Sequence, residues 1–303
     1  MTSPENAGVH RYAIFVVVCT FLLLIAGALV TSNEAALSVP DWPLSYGTLT
    51  PPMVGGVRYE HTHRVIAAIV GLLTIGLAVA LWLKDSRPRV RYLGLAAVGA
   101  VIAQGVLGGL TVLLYLHYGI PVAHAALAQI FFGVVVTIAI VTSRWFTSDL
   151  SSLEDRGSPS IHALALLNAA VIFLQVVLGA GFRHKDIPVW PHIAGALAVL
   201  GVVTWTAVAL RKRFEGSREM SKARIMLHSI FGTQFLLGMG AWWSRFSTAD
   251  APQPMPVMVT LTVIHTVVGA LLFALSVAIV VICYRLVPRR REVAAAAERQ
   301  MAT

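Results

Sequence analysis

The chain has 303 residues, of which 57% are hydrophobic and only 12% are charged. This composition excludes an ordinary soluble domain and indicates an integral membrane protein that crosses the bilayer several times. The formal net charge of +9 is explained by the loops between apolar runs, so it gives no support for nucleic-acid binding.

Apolar runs define the predicted elements, because a helix needs about 20 such residues to cross a bilayer. Eight runs have this length: roughly 12–31, 63–83, 92–116, 121–142, 161–182, 190–210, 224–243 and 257–284. Backbone groups in lipid must be hydrogen-bonded internally, so the runs predict eight transmembrane helices. The first run follows His10-Arg11 and is longer than the apolar part of a usual signal peptide, which favours an uncleaved helix.

Basic residues predict the orientation. With the N-terminus inside, 18 of the 23 Lys and Arg residues fall in the cytoplasmic segments. This bias places both termini in the cytoplasm, at the inner membrane of the cell. The predicted organisation is a first four-helix half (1–145), a cytoplasmic linker (146–160), a second half (161–285) and a basic tail (286–303).

An internal repeat supports this division. The pattern Q-x-x-L-G begins at Gln104, Gln175 and Gln234, and 24–28 carries a weaker version. Small residues in such patterns allow helices to approach closely, as in the Gly105–Gly109 pair. Four helices return the chain to the same side, so the two copies are predicted to be parallel. The fold class is therefore all-α, with two pseudo-symmetric four-helix bundles.

Each even-numbered run carries a histidine near its outer end, namely His63, His124, His192 and His265. A single intramembrane histidine often only hydrogen-bonds a neighbouring helix. Four at matched depth in a duplicated bundle favour ligands of haem iron, which paired histidines hold from both sides. The predicted pairs are His63 with His124 and His192 with His265, near the outer face. Zinc fits less well, since structural zinc takes four nitrogen or sulfur ligands.

The two halves differ around these histidines. Glu60 stands three residues before His63, whereas Val189 holds that place before His192. The outer segment 32–58 is long, and its counterpart in the second half is short. This asymmetry predicts a working site in the first half, with Glu60 as a group that handles protons or positive charge. The alternative for Glu60 is an interfacial ion pair with Arg64, four residues on.

Other candidates have two interpretations each. Arg64 and Arg183 either bind haem propionates, since guanidinium pairs well with carboxylate, or extend to the membrane interface. Trp42 either caps the first site or anchors its loop among the headgroups. His184 is a reserve ligand or a propionate contact. Cys19 and Cys283 sit at different depths, which predicts two buried thiols and no disulfide.

Several local motifs carry a family resemblance. They are Gly27-Ala28-Leu29-Val30-Thr31, Asp41-Trp42-Pro43-Leu44, Glu60-x-x-His63-Arg64 and the single histidines 124, 192 and 265. With these motifs the chain resembles the heme A synthase family of cytochrome oxidase assembly proteins along nearly its whole length. Many members carry a cysteine pair that brackets the Trp-Pro loop. Here those positions are Ser38 and Ser45, so a thiol or disulfide mechanism has no residues to use.

The resemblance implies a specific activity. The substrate would be haem O, whose ring methyl is oxidised through a hydroxymethyl stage to the formyl group of haem A. His63 and His124 would flank the substrate, His192 and His265 would ligate a resident haem b, and Glu60 would be the catalytic carboxylate. Haem O synthase would be the donor, and the cytochrome oxidase assembly machinery would receive the product.

Two other functions remain open from the residues. A di-haem b-type electron carrier would need the same four histidines but would have no use for Glu60. A haem transporter or chaperone would hold one exchangeable haem.

Overall fold

A computed structural model describes residues 6–288, which form nine α-helices. Their bounds are α1 Asn6–Ser32, α2 Val57–Lys84, α3 Pro88–Leu113, α4 Ile120–Val141, α5 Arg144–Thr147, α6 Ile161–Arg183, α7 Trp190–Arg213, α8 Arg218–Ser247 and α9 Pro256–Leu286. The basic tail predicted from residue 286 lies mostly outside the described residues.

Local sequence sets where the helices begin. Proline occupies the first turn of α3, α4, α7 and α9, where its missing N–H leaves no hydrogen bond unmade. The hydroxyls of Ser143, Ser160 and Ser217 cap α5, α6 and α8 by accepting backbone N–H groups. Gly119 precedes α4 with a φ of 78°, a conformation that other residues adopt at a cost.

Each of the eight predicted runs coincides with a long helix, although 92–116 extends past the end of α3 at Leu113 and 121–142 past the end of α4 at Val141. The predicted all-helical fold is confirmed. Seven of the helices in the described range are long and apolar enough to cross a membrane: α1 to α4, α6, α7 and α9. The remaining run, 224–243, lies in α8, a 30-residue helix that this criterion does not identify as a span. Its crossing, and the inside position of both termini, stay predictions. The short helix α5 was not predicted.

The long helices pack as two sets of four. In the first set α1 packs on α2 and α4, and α3 also packs on α2 and α4; in the second, α6 and α8 each pack on α7 and α9. Each set is thus a ring in which helices adjacent in sequence are neighbours. The two rings meet where α4 and α9 pack together, with α1 against α9 and α4 against α6.

Apolar side chains fill one end of each ring. Leu77, Leu81 and Ile138 are fully buried in the first, and Leu164 and Ile279 in the second. These positions lie toward the helix ends opposite to the four histidines. Burial of such side chains stabilises each ring and leaves the histidine ends for polar chemistry.

The predicted linker is fixed to the second ring rather than extended. The Leu153 N–H donates to Leu286 O at 2.8 Å. The Asp155 carboxylate accepts from the Ile161 N–H at 2.6 Å and pairs with Arg213 at 3.3 Å. The linker therefore joins the start of α6 to the ends of α7 and α9. Cys19 and Cys283 are free thiols; Cys283 is buried as predicted, whereas Cys19 is only partly buried.

Candidate functional site

The four predicted histidines form two facing pairs. The ring centroids of His63 and His124 are 6.5 Å apart, with an interplanar angle of 74°. Those of His192 and His265 are 6.4 Å apart, with an angle of 88°. Two imidazoles that bind one metal ion from opposite sides, at about 2.1 Å each, have centroids roughly 6 to 7 Å apart. Both pairs have the spacing that one shared metal ion requires.

A glycine on the preceding helix lies against each imidazole. A Cβ added at that glycine would meet the Cε1 atom of the histidine at 3.2 Å (Gly27 and His63), 3.4 Å (Gly108 and His124), 2.9 Å (Gly179 and His192) and 2.9 Å (Gly238 and His265). The glycine that ends each Q-x-x-L-G motif, and Gly27 in the weaker copy, thus makes room for a ring. The sequence showed the repeat, but its pairing with the histidines needed the structure.

The two nitrogens of these rings differ. In all four histidines Nδ1 is shielded and has no hydrogen-bond partner within residues 6–288. Each of the four side chains as a whole is half-buried. Neutral imidazole binds metal through one nitrogen, so Nε2 is the atom available to a ligand.

The glutamines of the repeat also contact the histidines. Gln175 donates through Nε2 to His192 O at 2.9 Å. The Gln234 side chain lies 3.4 Å from His265 Nε2. These two contacts order His192 and His265 from a neighbouring helix and limit the directions that their rings can take, as outer partners do at metal sites.

The donor set suits a metal that brings its own equatorial ligands. Nowhere between residues 6 and 288 do three His, Cys, Asp or Glu side chains meet in a way that could hold a bare metal ion. A haem iron needs only axial ligands from the protein, and two histidines supply both. The pairs therefore fit haem better than zinc, which takes at least three protein ligands.

Glu60 is buried, with an exposed fraction of 5%, and lies one turn before His63. Its Oε1 pairs with Arg64 at 2.6 Å, and its Oε2 accepts the Val39 N–H at 3.0 Å. The i,i+4 pair considered from the sequence is thus present, but it is inside the protein rather than in solvent. Both carboxylate oxygens have partners in this arrangement.

Arg64 ties the outer loop to α2. Besides Glu60, its guanidinium donates to Asp41 O at 2.7 Å, Leu44 O at 2.6 Å and Val39 O at 3.3 Å. Arg64 was considered as the partner of a haem propionate, and these carbonyls instead accept hydrogen bonds from its guanidinium. In this arrangement Arg64 holds the loop, and a propionate would have to share or displace these contacts.

Further hydrogen bonds shape the loop. The N–H groups of Gly47 and Tyr46 donate to the Asp41 carboxylate at 2.7 Å each and hold its pKa below the usual value. Tyr46 Oη donates to Ser38 O at 2.7 Å, and Ser45 Oγ lies 2.9 Å from His61 Nδ1. Ser45 therefore makes a polar contact through its side chain, whereas Ser38 does so through its backbone carbonyl.

Trp42 lies on α3 beside the first histidine pair. A Cβ added at Gly109 would meet the indole at 2.9 to 3.1 Å, and the preceding residue, Gly108, contacts His124. The indole is nonetheless 41% exposed. Gly109, which was expected to bring helices together, thus accommodates a loop side chain. This position agrees with the predicted cap more than with a headgroup anchor.

The second half contributes to the same region. Arg183 donates to Thr31 O at 2.7 Å, across the junction of the two rings. His184 lies close enough for its charge to act on His124. Burial, followed by the nearby Arg183 charge, lowers the pKa of His184, so its imidazole is neutral over a wider range of pH. Arg183 therefore links the end of α6 to the end of α1.

Comparison with known proteins agrees with these features. The family model COX15-CtaA, described as "Cytochrome oxidase assembly protein", matches residues 57–189. Among curated relatives, a protein of Novosphingobium aromaticivorans named "Heme A synthase" is 26% identical, over 90% of this chain and 94% of its own length. Proteins with the same name from Lysinibacillus sphaericus (25% identical, 89% and 94%) and Bacillus pumilus (27%, 78% and 86%) are also similar. The resemblance found from the motifs is thus confirmed over most of the chain.

Proposed function

We propose that this chain is a heme A synthase, which oxidises a ring methyl of haem O through a hydroxymethyl stage to the formyl group of haem A. The observation that carries the proposal is the pair of facing imidazole couples, in a chain similar over about nine-tenths of its length to proteins of that name. Only one couple has a buried carboxylate one turn away.

The two couples receive different roles. His63 and His124 would hold the substrate haem O, because Glu60 and the outer loop lie beside this pair. His192 and His265 would hold haem b, because Val189 rather than a carboxylate stands three residues before His192 and a short link closes this half. The glycine at each imidazole supports both assignments, since it lets the helix approach a ring that must point at the iron.

Glu60 would be the catalytic carboxylate. A haem-iron site supplies the oxidising chemistry, and the protein must take up the proton that the methyl carbon loses or stabilise positive charge there. Oε1 stays with Arg64, whereas Oε2 is held only by the Val39 N–H. A small movement of the loop at Val39 would free Oε2, so we assign the proton-accepting role to that oxygen.

The loop would act as the cover of the substrate site. Trp42 lies against Gly109, next to Gly108 and His124, and Arg64 holds the loop through three carbonyls. Because the loop has no cysteine, these contacts rather than a disulfide would hold it in place. Such a cover excludes water, which strengthens the electrostatic effect of Glu60.

Arg183 is the stronger candidate for a propionate contact. Within the described range its guanidinium donates one hydrogen bond, to Thr31 O, and forms no salt bridge with a carboxylate. Arg64, in contrast, is occupied by the loop. A propionate at Arg183 would lie at the end of α6, where the adjacent His184 would also contact it.

The setting follows from the same assignment. The long apolar helices make this a multi-pass membrane protein, and we place it in the inner membrane with the haem sites near the outer face. Haem O synthase would supply the substrate, and cytochrome oxidase assembly proteins would accept the product.

Haem analysis tests the proposal. The protein is purified from cells that make haem O, and its extracted haems are separated by chromatography. Haem B together with haem A or hydroxylated haem O is expected. Glu60→Gln should retain both haem sites but yield little oxidised product, with Glu34→Gln as a matched control at the end of α1. Normal conversion by the Glu60 variant would remove the catalytic role.

A di-haem b-type electron carrier is the second candidate, because the two imidazole couples have almost the same geometry. It predicts haem B alone, at two per chain. It also predicts that Glu60→Gln leaves the reduction midpoint potentials of both haems unchanged. The same extraction therefore distinguishes the two functions.

A further inference from the structure

A cavity of about 450 Å³ lies at the helix ends opposite to the histidines. It is bounded by the start of α3, by α5 and by the end of α9. Its lining includes the cations Arg89 and Arg285 and the apolar side chains of Phe146, Val280 and Val281. The proposed haem chemistry lies at the other end of the molecule. It does not explain why two cations and an apolar surface meet in this cavity.

Arg89 differs from its neighbours on α3. Arg87 pairs with Asp85 at 2.6 Å, and Arg91 donates to Asp85 O at 2.6 Å. Arg89 is exposed and makes no hydrogen bond or ion pair to residues 6–288. It stands in the first turn of α3, where the N–H groups of the helix end also attract anions.

Arg285 is positioned by the backbone of the α5 segment. It donates to Phe146 O at 2.7 Å and to Ser148 O, and its Cζ lies 5.7 Å from the centroid of the Phe146 ring. These partners are neutral, so the positive charge of Arg285 has no carboxylate beside it in the described part of the chain. Two uncompensated cations thus face one cavity.

We propose that this cavity binds the headgroup of an acidic phospholipid. Arg89 and Arg285 would pair with the phosphate, for which guanidinium has suitable geometry. Val280, Val281 and Phe146 would contact the glycerol and the first methylene groups. Cavities of a few hundred Å³ hold molecules of this size. The apolar wall favours a lipid over free phosphate, which would use only the cations.

The position of the cavity agrees with this ligand. Most basic residues lie at the same ends of the helices, on the side predicted to be cytoplasmic, where basic side chains attract acidic lipids. The proposal does not depend on the activity of the histidine sites.

Native mass spectrometry of the whole protein in detergent tests the site, with phosphatidylglycerol as the probe and phosphatidylcholine as the neutral comparison. Arg89→Ala should weaken phosphatidylglycerol binding about tenfold. Arg211→Ala, a change of the same charge at an exposed position at the end of α7, should have little effect. Val280→Phe keeps both arginines but narrows the cavity, and should also weaken binding.

Three results would overturn the proposal. Equal losses in Arg89→Ala and Arg211→Ala would indicate attraction to the basic surface in general. Equal binding of phosphatidylcholine would mean that the cations are not used. Full competition by inorganic phosphate at millimolar concentration would identify an ion site rather than a lipid site. Thermal unfolding measured on each variant shows whether the fold is intact.

Discussion

The fit between glycine and histidine gives the sharpest prediction, and Gly179→Ala in α6 is the perturbation. The new Cβ would lie 2.9 Å from His192 Cε1 and 3.3 Å from Nδ1. An ordinary contact begins near 3.4 Å, so the imidazole must move by about half an ångström. Overfilling a packed site costs about 1 to 3 kcal/mol, while alanine gains up to about 1 kcal/mol in helix propensity over glycine.

The two effects act on different states. The free protein can turn the ring away and keep the gain in helix propensity, so its stability should change little. A bound iron fixes the ring, so the cost falls on haem binding. The propensity gain is present with and without haem and cancels, so the full cost of about 1 to 3 kcal/mol corresponds to roughly five- to 150-fold weaker binding. The second pair should therefore lose haem while the helices remain folded.

The assay is haem content per chain, by pyridine haemochrome and reduced-minus-oxidised spectra, with thermal unfolding measured on the same samples. The expected loss of haem depends on how closely the added Cβ would approach the imidazole. Gly238→Ala should resemble Gly179→Ala, whereas Gly108→Ala, with its contact at 3.4 Å, should be mild. Gly201→Ala in α7 is the control, because nothing lies within 4 Å of its added Cβ. Equal haem content in Gly179→Ala and Gly201→Ala would refute the reasoning.

Three further changes test the loop and the core. Arg64→Ala leaves the buried Glu60 carboxylate without its cation and should destabilise the protein by about 3 to 5 kcal/mol; denaturant unfolding that matches the wild type would show that the pair is unimportant. Gly109→Ala should displace Trp42, lower turnover and shift the tryptophan fluorescence while haem content is kept, and unchanged turnover would argue against a cover. Asn168 in α6 is fully buried, with both polar side-chain atoms unpartnered in the described range, so Asn168→Leu should raise stability by about 1 to 3 kcal/mol. A clear loss of stability instead would point to a buried water at that side chain.

The sequence predicted the long helices well, because crossing a membrane demands a run of apolar residues that composition reveals directly. It also predicted which histidines pair. Matched depth and duplication placed His63 with His124 and His192 with His265, and the ring distances agree with that pairing. The run 224–243 shows the weakness of composition, since α8 is long and helical but too polar to be identified as a span.

The surroundings of Glu60 could not be predicted from the sequence. Its spacing to Arg64 predicted an ion pair, and that pair is present. Its burial and its bond to the Val39 N–H, however, depend on how the loop folds back over α2. Likewise, Arg64 was considered for propionates, and the structure shows it bound to loop carbonyls. Loop paths follow from many weak contacts that no local pattern records.

The sequence by itself thus determined the helical membrane fold, the repeat and the four histidines, because each follows from residue type and spacing along one helix. Only the tertiary structure decided that Gly27, Gly108, Gly179 and Gly238 contact those histidines, that Trp42 lies on Gly109, and that Arg64 holds the loop. Such contacts depend on the rotation and separation of neighbouring helices, which side-chain packing across the whole bundle sets.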